Sequence, residues 1–229
     1  MIEEPAKLIV RKDRNRPTDA QIAAFQGVPT GFVVDAMHGR GALHAGISPL
    51  GAHGEAVAGP ALCAENQPGD ILATLAALAY LSPGDVLIVG TAGGYQGCAA
   101  AGDRVCGMAR NAGAVGLVTD GPLRDLAGIE EIGLPCWATG LTPASPFTTG
   151  PGVVGGAMPF GGLHVATGDM IVADADGVVV VPFDMIDTVA KRVAQVREVE
   201  LALDAEVREG LKVPPAIEEL LASDATRHD

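Results

Sequence analysis

Val115-Gly-Leu-Val-Thr119 runs directly into Asp120-Gly-Pro-Leu-Arg124-Asp125. Five mostly β-branched or apolar residues that end at Asp-Gly predict a buried parallel strand followed by a tight turn. Ligands of α/β proteins bind at the carboxyl ends of such strands, because the loops that follow them meet in one crevice. Arg124 and Asp125 lie just beyond this strand end. They could form an ordinary surface ion pair, or they could bind an acidic substrate and a hard cation together.

The segments on either side of this strand predict a parallel α/β core. In chain order they are a strand at Val86–Val89, a glycine-rich loop at Gly90–Gly97, a helix from Asp103 to about Ala112, the strand at 115–119, a helix through Glu131 and a strand near Pro135–Ala138. The glycine loop matches neither Gly-x-Gly-x-x-Gly nor a P-loop, because no Gly-Lys-Ser/Thr follows it. Its N–H groups could bind a phosphate or a carboxylate. Asp103 could face a cation, or it could be an acidic first-turn residue favoured by the helix dipole.

The rest of the chain predicts helices before this core and strands after it. An extended arm is expected up to Arg16-Pro17. A capping box at Thr18–Gln21 predicts the start of a short helix, and a second helix is predicted at Gly31–Met37. A third helix is predicted to begin with Asp70 as its cap and to end at Leu81. We expect loop and short strand at Gly41–Pro60, and irregular loop at Gly140–Gly162 because Gly, Pro, Ser and Thr dominate it. Strands are expected at 163–166, 170–173 and 177–181.

A long helix is predicted from about Asp184 to Glu209. Its apolar stripe advances in steps of three and four residues: Ile186, Val189, Val193, Val196, Leu203 and Val207. The stripe position between Val196 and Leu203 is Glu200. A carboxylate on the packing side of a helix indicates a salt bridge or a subunit contact. It is also the pattern expected of a residue that reaches into a partner's active site.

The composition limits the possible partners. The chain has 229 residues, a formal net charge of −13 and only 3% aromatic residues, which suits a turn-rich α/β protein packed with small aliphatic side chains. This negative charge argues against nucleic acid and anionic membrane as partners, because both would repel the protein. The longest apolar run, Ile71–Leu81, is too short to span a bilayer.

The cysteines and histidines give no sign of a metal centre or of disulfides. None of the four cysteines forms a Cys-x-x-Cys pair. Because the N-terminus does not resemble a signal peptide, we expect buried, reduced thiols in a cytoplasmic protein. The five histidines are scattered without a His-x-x-x-His pair, so a zinc site is not expected.

The combination of these motifs resembles a known family. Gly102-Asp103, a spacer of twenty residues, Arg124-Asp125 and the segment Gly168–Pro182 are similar to the RraA-like family. They resemble in particular its divalent-metal (class II) pyruvate aldolases, which act on 4-hydroxy-4-methyl-2-oxoglutarate and 4-carboxy-4-hydroxy-2-oxoadipate. The resemblance covers roughly residues 27 to 211 and leaves out an N-terminal arm and short helix (1–26) and a C-terminal tail (212–229). It implies a swivelling β/β/α domain with a long C-terminal helix, assembled as a homotrimer or hexamer with sites at subunit interfaces.

The resemblance also implies a role for each site residue. Asp125 matches the ligand of Mg²⁺ or Mn²⁺, and Arg124 matches the arginine that binds the keto oxygen of pyruvate. The helix start Gly102-Asp103-Arg104-Val105 matches the segment whose backbone amides receive the pyruvate carboxylate. Asp103 matches an acid that holds metal-bound water, and Glu200 matches an acid from a neighbouring subunit. The implied catalytic residues are thus Arg124, Asp103 and Glu200.

These roles agree with the chemistry of a 2-oxo acid substrate. Retro-aldol cleavage or decarboxylation leaves a pyruvate enolate, which a divalent cation and a guanidinium can stabilise together. Mg²⁺ prefers few carboxylates and several waters, so one direct Asp suffices. A Schiff-base mechanism is disfavoured because none of the four lysines (Lys7, Lys12, Lys191 and Lys212) lies in an apolar strand.

The sequence departs from the family pattern at several positions. Gly90-Thr91 stands where the family commonly has an acidic residue before its glycines, and Arg104-Val105 stands where Leu-Leu is common. Pro122 within the Asp-Gly-x-x-Arg turn is unusual, and Gly140–Gly162 diverges. These departures leave the metal and pyruvate half of the site intact and leave the rest of the substrate open.

Three functions are compatible with these motifs. The first is a metal-dependent aldolase that releases pyruvate from a 4-hydroxy-2-oxo acid and decarboxylates oxaloacetate as a side activity. The second is a non-catalytic RraA-type regulator that binds a ribonuclease; such members are typically shorter and lack the long C-terminal helix that carries Glu200, which favours the enzyme. The third, a methyltransferase, would need an acidic-glycine loop after the first strand of a Rossmann sheet, and Gly90–Gly97 lacks it.

Overall fold

A computed structural model describes residues 6–51 and 56–227 of the chain. The strands are β1 Leu8–Val10, β2 Ser48–Leu50, β3 Val57–Asn66, β4 Val86–Gly90, β5 Gly116–Thr119, β6 Cys136–Ala138, β7 Gly152–Val154, β8 Ala157–Phe160, β9 Leu163–Ala166, β10 Met170–Ala173 and β11 Val178–Val181. The helices are α1 Asp19–Ala23, α2 Thr30–Ala36, α3 Leu72–Ala77, α4 Asp103–Asn111, α5 Leu126–Ile132, α6 Ile186–Arg208 and α7 Pro215–Leu221. Short 3₁₀ turns at Leu78–Tyr80 and Phe183–Met185 extend α3 and precede α6.

Strands β4, β5 and β6 form the predicted parallel core in that order, and β3, which was not predicted there, adds a parallel strand beside β4. In the described part of the chain they belong to a nine-stranded sheet, in which β7 lies antiparallel to β3 and β2 antiparallel to β6. The first residues of β3, Val57–Pro60, pair instead with β10, which pairs with β11. The long strand β3 therefore joins two regions of the sheet, and β8 and β9 form a separate hairpin.

Side chains that alternate along the core strands fill two apolar layers. Leu87 and Leu117 face a cluster with α4 and α5, whereas Ile88 and Val118 face a cluster with Trp137 and the β8–β9 hairpin. Because the core strands are buried on both faces, they have continuous apolar sequences, which made them predictable. A third cluster joins β10 and β11 to α2 and α6. The result is the expected α/β architecture with a long C-terminal helix.

The regions predicted as loop contain more strand than the sequence indicated. The irregular segment expected at Gly140–Gly162 includes β7 and the whole of the hairpin strand β8, and the predicted arm includes β1. Strand β3 also extends well beyond the short strand expected before Pro60. Strands β1 and β7 have three residues each and pair with one another, so their hydrogen bonds depend on partners far away in the chain. A pattern read along a short window contains no information about such partners.

The predicted helices are present with small changes at their ends. The capping box of α1 forms between Thr18 and Gln21 as expected. The N-cap of α3 is Ile71 rather than Asp70, although the Asp70 carboxylate accepts a hydrogen bond from the Leu72 N–H at 2.7 Å. No helix among the described residues combines the length and the apolar character that crossing a bilayer requires.

Helix α6 packs over only part of its length. Ile186, Val189 and Val193 are buried against α2 and the strands β10 and β11, whereas Leu203 and Val207 are 40% and 56% exposed. The apolar stripe predicted from the sequence therefore continues past the core that it helps to form. Helix α7 follows within the predicted C-terminal tail.

Candidate active site

Backbone hydrogen bonds bring the two halves of the Gly102-Asp103 and Arg124-Asp125 motif together. The Arg124 N–H donates to the Ala101 carbonyl at 3.2 Å, and the Ala100 N–H donates to the Pro122 carbonyl at 2.8 Å. Ala101 and Leu123 form an isolated parallel bridge. The loop after β5 and the segment before α4 thus pair side by side beyond the carboxyl ends of the parallel strands. The structure brings Asp103, Arg124 and Asp125 to one corner, as predicted.

Two glycines allow this corner to close. A Cβ atom at Gly102 would lie 2.7 Å from Oδ2 of Asp125 and 3.0 Å from Cγ of Arg124. A Cβ atom at Gly128, in α5, would lie 2.8 Å from Oδ2 of Asp103. Any larger residue would push the two carboxylates away from their present positions. Gly128 was not identified from the sequence; its only signal was a glycine inside a helix, which is unfavourable without a packing reason.

The Arg124 guanidinium has partners on two sides. Its Nε lies 3.2 Å from Oδ2 of Asp125, and its Nη1 donates to Oγ of Ser145 at 2.8 Å. The Arg124 side chain is about one-third exposed, so it borders the solvent-facing cleft. Ser145 lies in the segment predicted to be irregular loop, and nothing in its sequence context pointed to Arg124. The side chain is therefore oriented while part of its hydrogen-bonding edge remains open to a ligand.

Asp125 occupies an unusual backbone conformation. Its φ of 61° and ψ of 46° are left-handed, and it is the N-cap of α5, although its carboxylate accepts no cap hydrogen bond from the helix amides. Left-handed backbone is unfavourable for residues other than glycine, although Asp tolerates it better than most. Such strain persists where the surrounding structure imposes it, commonly at functional sites. The conformation directs an uncapped carboxylate toward Gly102 and Arg124.

The start of α4 offers backbone donors beside Arg124. Gly102 is the N-cap and has no side chain to satisfy the first amides of the helix. The Arg104 N–H donates to Oδ1 of Asp103 at 2.6 Å. A cavity of about 40 Å³ lies here, bordered by the segment Ala101–Val105 together with Ile71, Arg124 and Pro146. Its size fits a small anionic group such as a carboxylate, with the rest of a substrate extending outward.

The loop after β6 covers this corner and is anchored by Asp70. The Asp70 carboxylate accepts hydrogen bonds from the N–H groups of Leu72, Thr149 and Gly150. Burial raises the pKa of Asp70, but these hydrogen bonds outweigh burial and hold the pKa below its usual range. The anchored loop carries Ser145 and Pro146 to the Arg124 side. The segment expected to be irregular is therefore fixed in place at the site.

Asp120 fastens the glycine-rich loop to the end of β5. Its carboxylate is buried and accepts hydrogen bonds from both N and Oγ1 of Thr91 at 2.8 Å. Burial raises the pKa of Asp120 above its usual range, although the Thr91 hydrogen bonds oppose that shift. Gln96 donates to the Asp120 carbonyl. The glycine loop is thus held by a side chain whose sequence context indicated only a turn.

Glu200 lies outside this corner in the single chain. It is half-buried on α6, and no hydrogen bond or ion pair joins it to another residue within the described ranges. Helix α6 packs against α2, whereas α4 packs against α5. The role expected of Glu200 requires a neighbouring subunit and stays a prediction.

The donor set at this corner fits a cation that keeps most of its waters. No group of three or more His, Cys, Asp or Glu side chains placed to hold a metal occurs among the residues that the structure describes. Gly102 makes room for the Asp125 carboxylate, and Gly128 makes room for the carboxylate of Asp103, the residue that follows Gly102. Mg²⁺ commonly binds through one or two carboxylates plus water and substrate oxygens. Asp125 is the side chain that could bind such an ion directly, with Asp103 placed to hold its water.

Comparison with known proteins identifies the family. The model of the RraA-like family, described as Aldolase/RraA, matches residues 30–180. The chain belongs to the RraA-like family. It is 36% identical over 161 residues to a protein of Halalkalibacterium halodurans named "Putative 4-hydroxy-4-methyl-2-oxoglutarate aldolase", a match that covers 70% of this chain and 76% of that protein. The resemblance read from the Asp103 and Arg124-Asp125 motifs is thereby confirmed.

Solved structures show the same RraA-like fold. An uncharacterized protein from Pseudomonas syringae pv. tomato matches with a TM-score of 0.78 and 22% identity over 93% of this chain and 96% of that chain. Streptomyces coelicolor RraAS2, described as an unusual member of the RNase ES inhibitor RraA protein family, matches with a TM-score of 0.73 and 27% identity over 83% of this chain and all of that chain. The family thus contains proteins named for aldol cleavage and for ribonuclease inhibition.

Proposed function

We propose that this protein is a divalent-metal-dependent lyase that cleaves a 4-hydroxy-2-oxo acid to pyruvate and a second oxo compound. Oxaloacetate decarboxylation is the expected side activity, because both reactions pass through the enolate of pyruvate. The observation that carries the proposal is the convergence of Arg124, Asp125 and Asp103 around the Gly102 helix start. The similarity to the aldolase-named protein of Halalkalibacterium halodurans supports it.

In the proposed reaction, this chain's residues bind and orient the 2-oxo acid. The N-terminal amides of α4, at Gly102 to Val105, receive the carboxylate, and the helix dipole favours that negative charge. Arg124 donates hydrogen bonds to the keto oxygen, which becomes more negative as the C3–C4 bond breaks. Ser145 keeps the guanidinium turned toward the cleft. Asp125 would hold Mg²⁺ or Mn²⁺ directly, with Asp103 holding a water beside the ion, and the ion when bound would supply Lewis-acid stabilisation of the same developing charge.

Proton transfer completes the reaction. In aldol cleavage the 4-hydroxyl loses its proton as the C3–C4 electron pair moves onto the pyruvate fragment, and C3 then gains a proton to become the methyl group of pyruvate. Asp103 and Glu200 are the carboxylates that we propose for positioning the water that transfers these protons. In oxaloacetate, the same C3–C4 bond breaks with release of CO₂, so no hydroxyl proton is needed.

We propose further that the enzyme is a homotrimer or hexamer in the cytoplasm, with Glu200 contributed across a subunit interface. The apolar side chains on the outer half of α6 support this assembly: Val199, Leu201, Leu203 and Val207 are all exposed in the single chain. Exposed apolar side chains grouped on one helix commonly mark a protein contact. Glu200 lies among them.

Ribonuclease binding is the second candidate, because RraAS2 of Streptomyces coelicolor shares the fold. One pair of assays separates the two functions. Pyruvate release is measured from a panel of 4-hydroxy-2-oxo acids and oxaloacetate with Mg²⁺, with Mn²⁺ and with excess EDTA, and ribonuclease E-type cleavage of RNA is measured with and without the protein. We expect metal-dependent pyruvate release and no inhibition. Inhibition without pyruvate release from any substrate would reverse the assignment.

A further inference from the structure

A second cavity, of about 300 Å³, lies between the end of α2, strand β9 and helix α6. Its size is at the lower end of the range for small-molecule sites. Four of its lining residues are basic: His38, Arg40, His164 and Arg192. None of the lining residues in the part of the chain that the structure describes is acidic. None of them belongs to the candidate active site.

The charge of this cavity contrasts with the charge of the protein. The chain has 28 acidic residues against 15 Lys and Arg, and its net charge of −13 repels anions at most of its surface. The two arginines at one cavity therefore form a local positive site, beside two imidazoles that can donate hydrogen bonds. The lining also includes the apolar residues Met37, Val180 and Met185. Such a site fits an organic anion with a compact apolar body.

The two arginines have donors available for a ligand. Arg192 donates from Nη1 to the Ala36 carbonyl at 3.4 Å, a long contact that directs its guanidinium toward the end of α2. The Arg40 guanidinium makes no hydrogen bond or ion pair with any residue that the structure describes. Guanidinium groups bind carboxylates through paired N–H donors, so each arginine can bind one carboxylate.

The backbone at His38 provides independent support. Helix α2 ends in a motif in which the His38 N–H donates to the Asp35 carbonyl and the Gly39 N–H donates to the Val34 carbonyl. This motif requires a left-handed residue at position 38, where glycine is favoured, and His38 has a φ of 57°. His38 thus has an imidazole side chain at a backbone position that favours glycine. Backbone strain of this kind is characteristic of binding sites.

We propose that this cavity binds an aromatic dicarboxylate, with Arg40 and Arg192 on the carboxylates, the imidazole of His38 beside them, and Met37 and Met185 against the ring. Methionine side chains make favourable contacts with aromatic rings and adapt to their shape. The proposal is independent of the aldolase assignment, because it uses other residues and a different part of the fold.

Calorimetric titration with phthalate tests the proposal. The titration uses full-length protein with the Arg124→Ala substitution, so that carboxylate binding at the candidate active site does not contribute. Benzyl alcohol supplies a ring without charge, and sulfate supplies charge without a ring. We expect phthalate to bind once per chain and roughly tenfold or more tighter than either control compound. Absence of phthalate binding up to about 10 mM, or sulfate binding as tight as phthalate, would overturn the proposal.

Three substitutions then assign the binding to the cavity. Arg40→Gln and Arg192→Gln should each weaken phthalate binding by roughly tenfold or more, whereas Arg208→Gln, which removes the same charge from an exposed position of α6, should not. His38→Gly should weaken binding while leaving the melting temperature equal or higher, because glycine relieves the strain. Phthalate affinity that none of the three cavity variants changes would assign the binding to another place and reject the proposal.

Discussion

The side chains around Arg124 are held in place by contacts within one chain, whereas the apolar side chains near Glu200 are exposed to solvent in the same chain. The Arg124 corner is fixed by backbone pairing, by two glycine contacts and by a loop that Asp70 anchors. Glu200 lies on a half of α6 that extends past its own core, beside Val199 and Leu201, which are 65% and 61% exposed. Under the proposed function, substrate and metal binding need one subunit, whereas water positioning by Glu200 needs a neighbouring subunit.

Asp125 variants give the largest effect expected at the Arg124 corner. Asp125→Asn keeps the shape and tolerates left-handed backbone but binds a divalent cation poorly, so we expect pyruvate release to fall by about 1,000-fold or more. Asp125→Gly should be equally inactive. Because it relieves the backbone strain and loses only an exposed ion pair with Arg124, its melting temperature should not fall.

Steady-state assays over a range of Mg²⁺ concentrations, together with thermal unfolding, check both Asp125 variants. Asn111 is the last residue of α4 and lies away from the corner. The substitution Asn111→Asp adds a negative charge there, whereas Asp125→Asn removes one, so it serves as a control for net charge. Wild-type turnover by Asp125→Asn at ordinary Mg²⁺ concentrations would mean that the metal ligand lies elsewhere.

Arg124→Ala comes next in expected size. Loss of the donor to the keto oxygen should cost about 3 kcal/mol or more in kcat/KM. Arg124→Lys should recover little, because a point charge replaces a planar group that contacts Asp125 and Ser145 at the same time. The matched control is Arg104→Ala on the neighbouring helix start, which removes the same charge where the proposed role belongs to the backbone amide. Equal losses at both positions would indicate a general charge effect instead of a specific contact.

The sequence was informative where a motif or a doubly buried strand is contiguous. The strands at 86–90 and 116–119 were predicted, because an apolar run fixes a buried strand. The strand end pointed to Arg124 and Asp125, and the family resemblance added Asp103. Gly128, Ser145 and Asp120 were missed. Each acts through a partner distant in the chain, Asp103 for Gly128, Arg124 for Ser145 and Thr91 for Asp120. A single sequence contains no signal that pairs such positions.

Glu200→Gln tests the exposed half of α6, the second of the two regions compared. It preserves shape and removes charge, so kcat should fall by about tenfold to a hundredfold while size-exclusion chromatography shows an unchanged assembly. Glu198→Gln, two residues earlier and on the exposed side of α6, is the matched control and should have wild-type kcat.

Mixing variants tests whether the site is shared between subunits. Glu200→Gln mixed with Asp125→Asn should regenerate some sites in which Asp125 comes from one subunit and Glu200 from its neighbour, provided that subunits exchange. Activity above the sum of the separate variants supports a shared site. A monomer with full activity, or a fully active Glu200→Gln enzyme, would leave Glu200 with a structural role only.

Substitution of Ser145 gives the smallest expected effect on activity and tests whether its hydroxyl orients the Arg124 guanidinium. Its hydroxyl accepts a hydrogen bond from Arg124 Nη1 and has no proposed contact with the reacting atoms. Ser145→Ala should therefore lower kcat/KM by less than about tenfold, because one hydrogen bond to a partly exposed guanidinium is worth about 1 kcal/mol. Ser145→Thr keeps the hydroxyl and should restore most of the activity.

A second substitution separates the hydroxyl from the loop that carries it. Asp70→Asn weakens the anchor at Thr149 and Gly150, so it should lower the melting temperature. Because hydrogen bonds keep the pKa of Asp70 low in the folded protein, the stability from this carboxylate is present above its unfolded pKa and is lost as the pH falls through the folded value. The difference in melting temperature between wild type and Asp70→Asn should accordingly shrink in acid, whereas Ser145→Ala should leave the melting temperature unchanged at every pH. If Ser145→Ala also destabilised the protein, the contact with Arg124 would support the loop and would not orient the guanidinium.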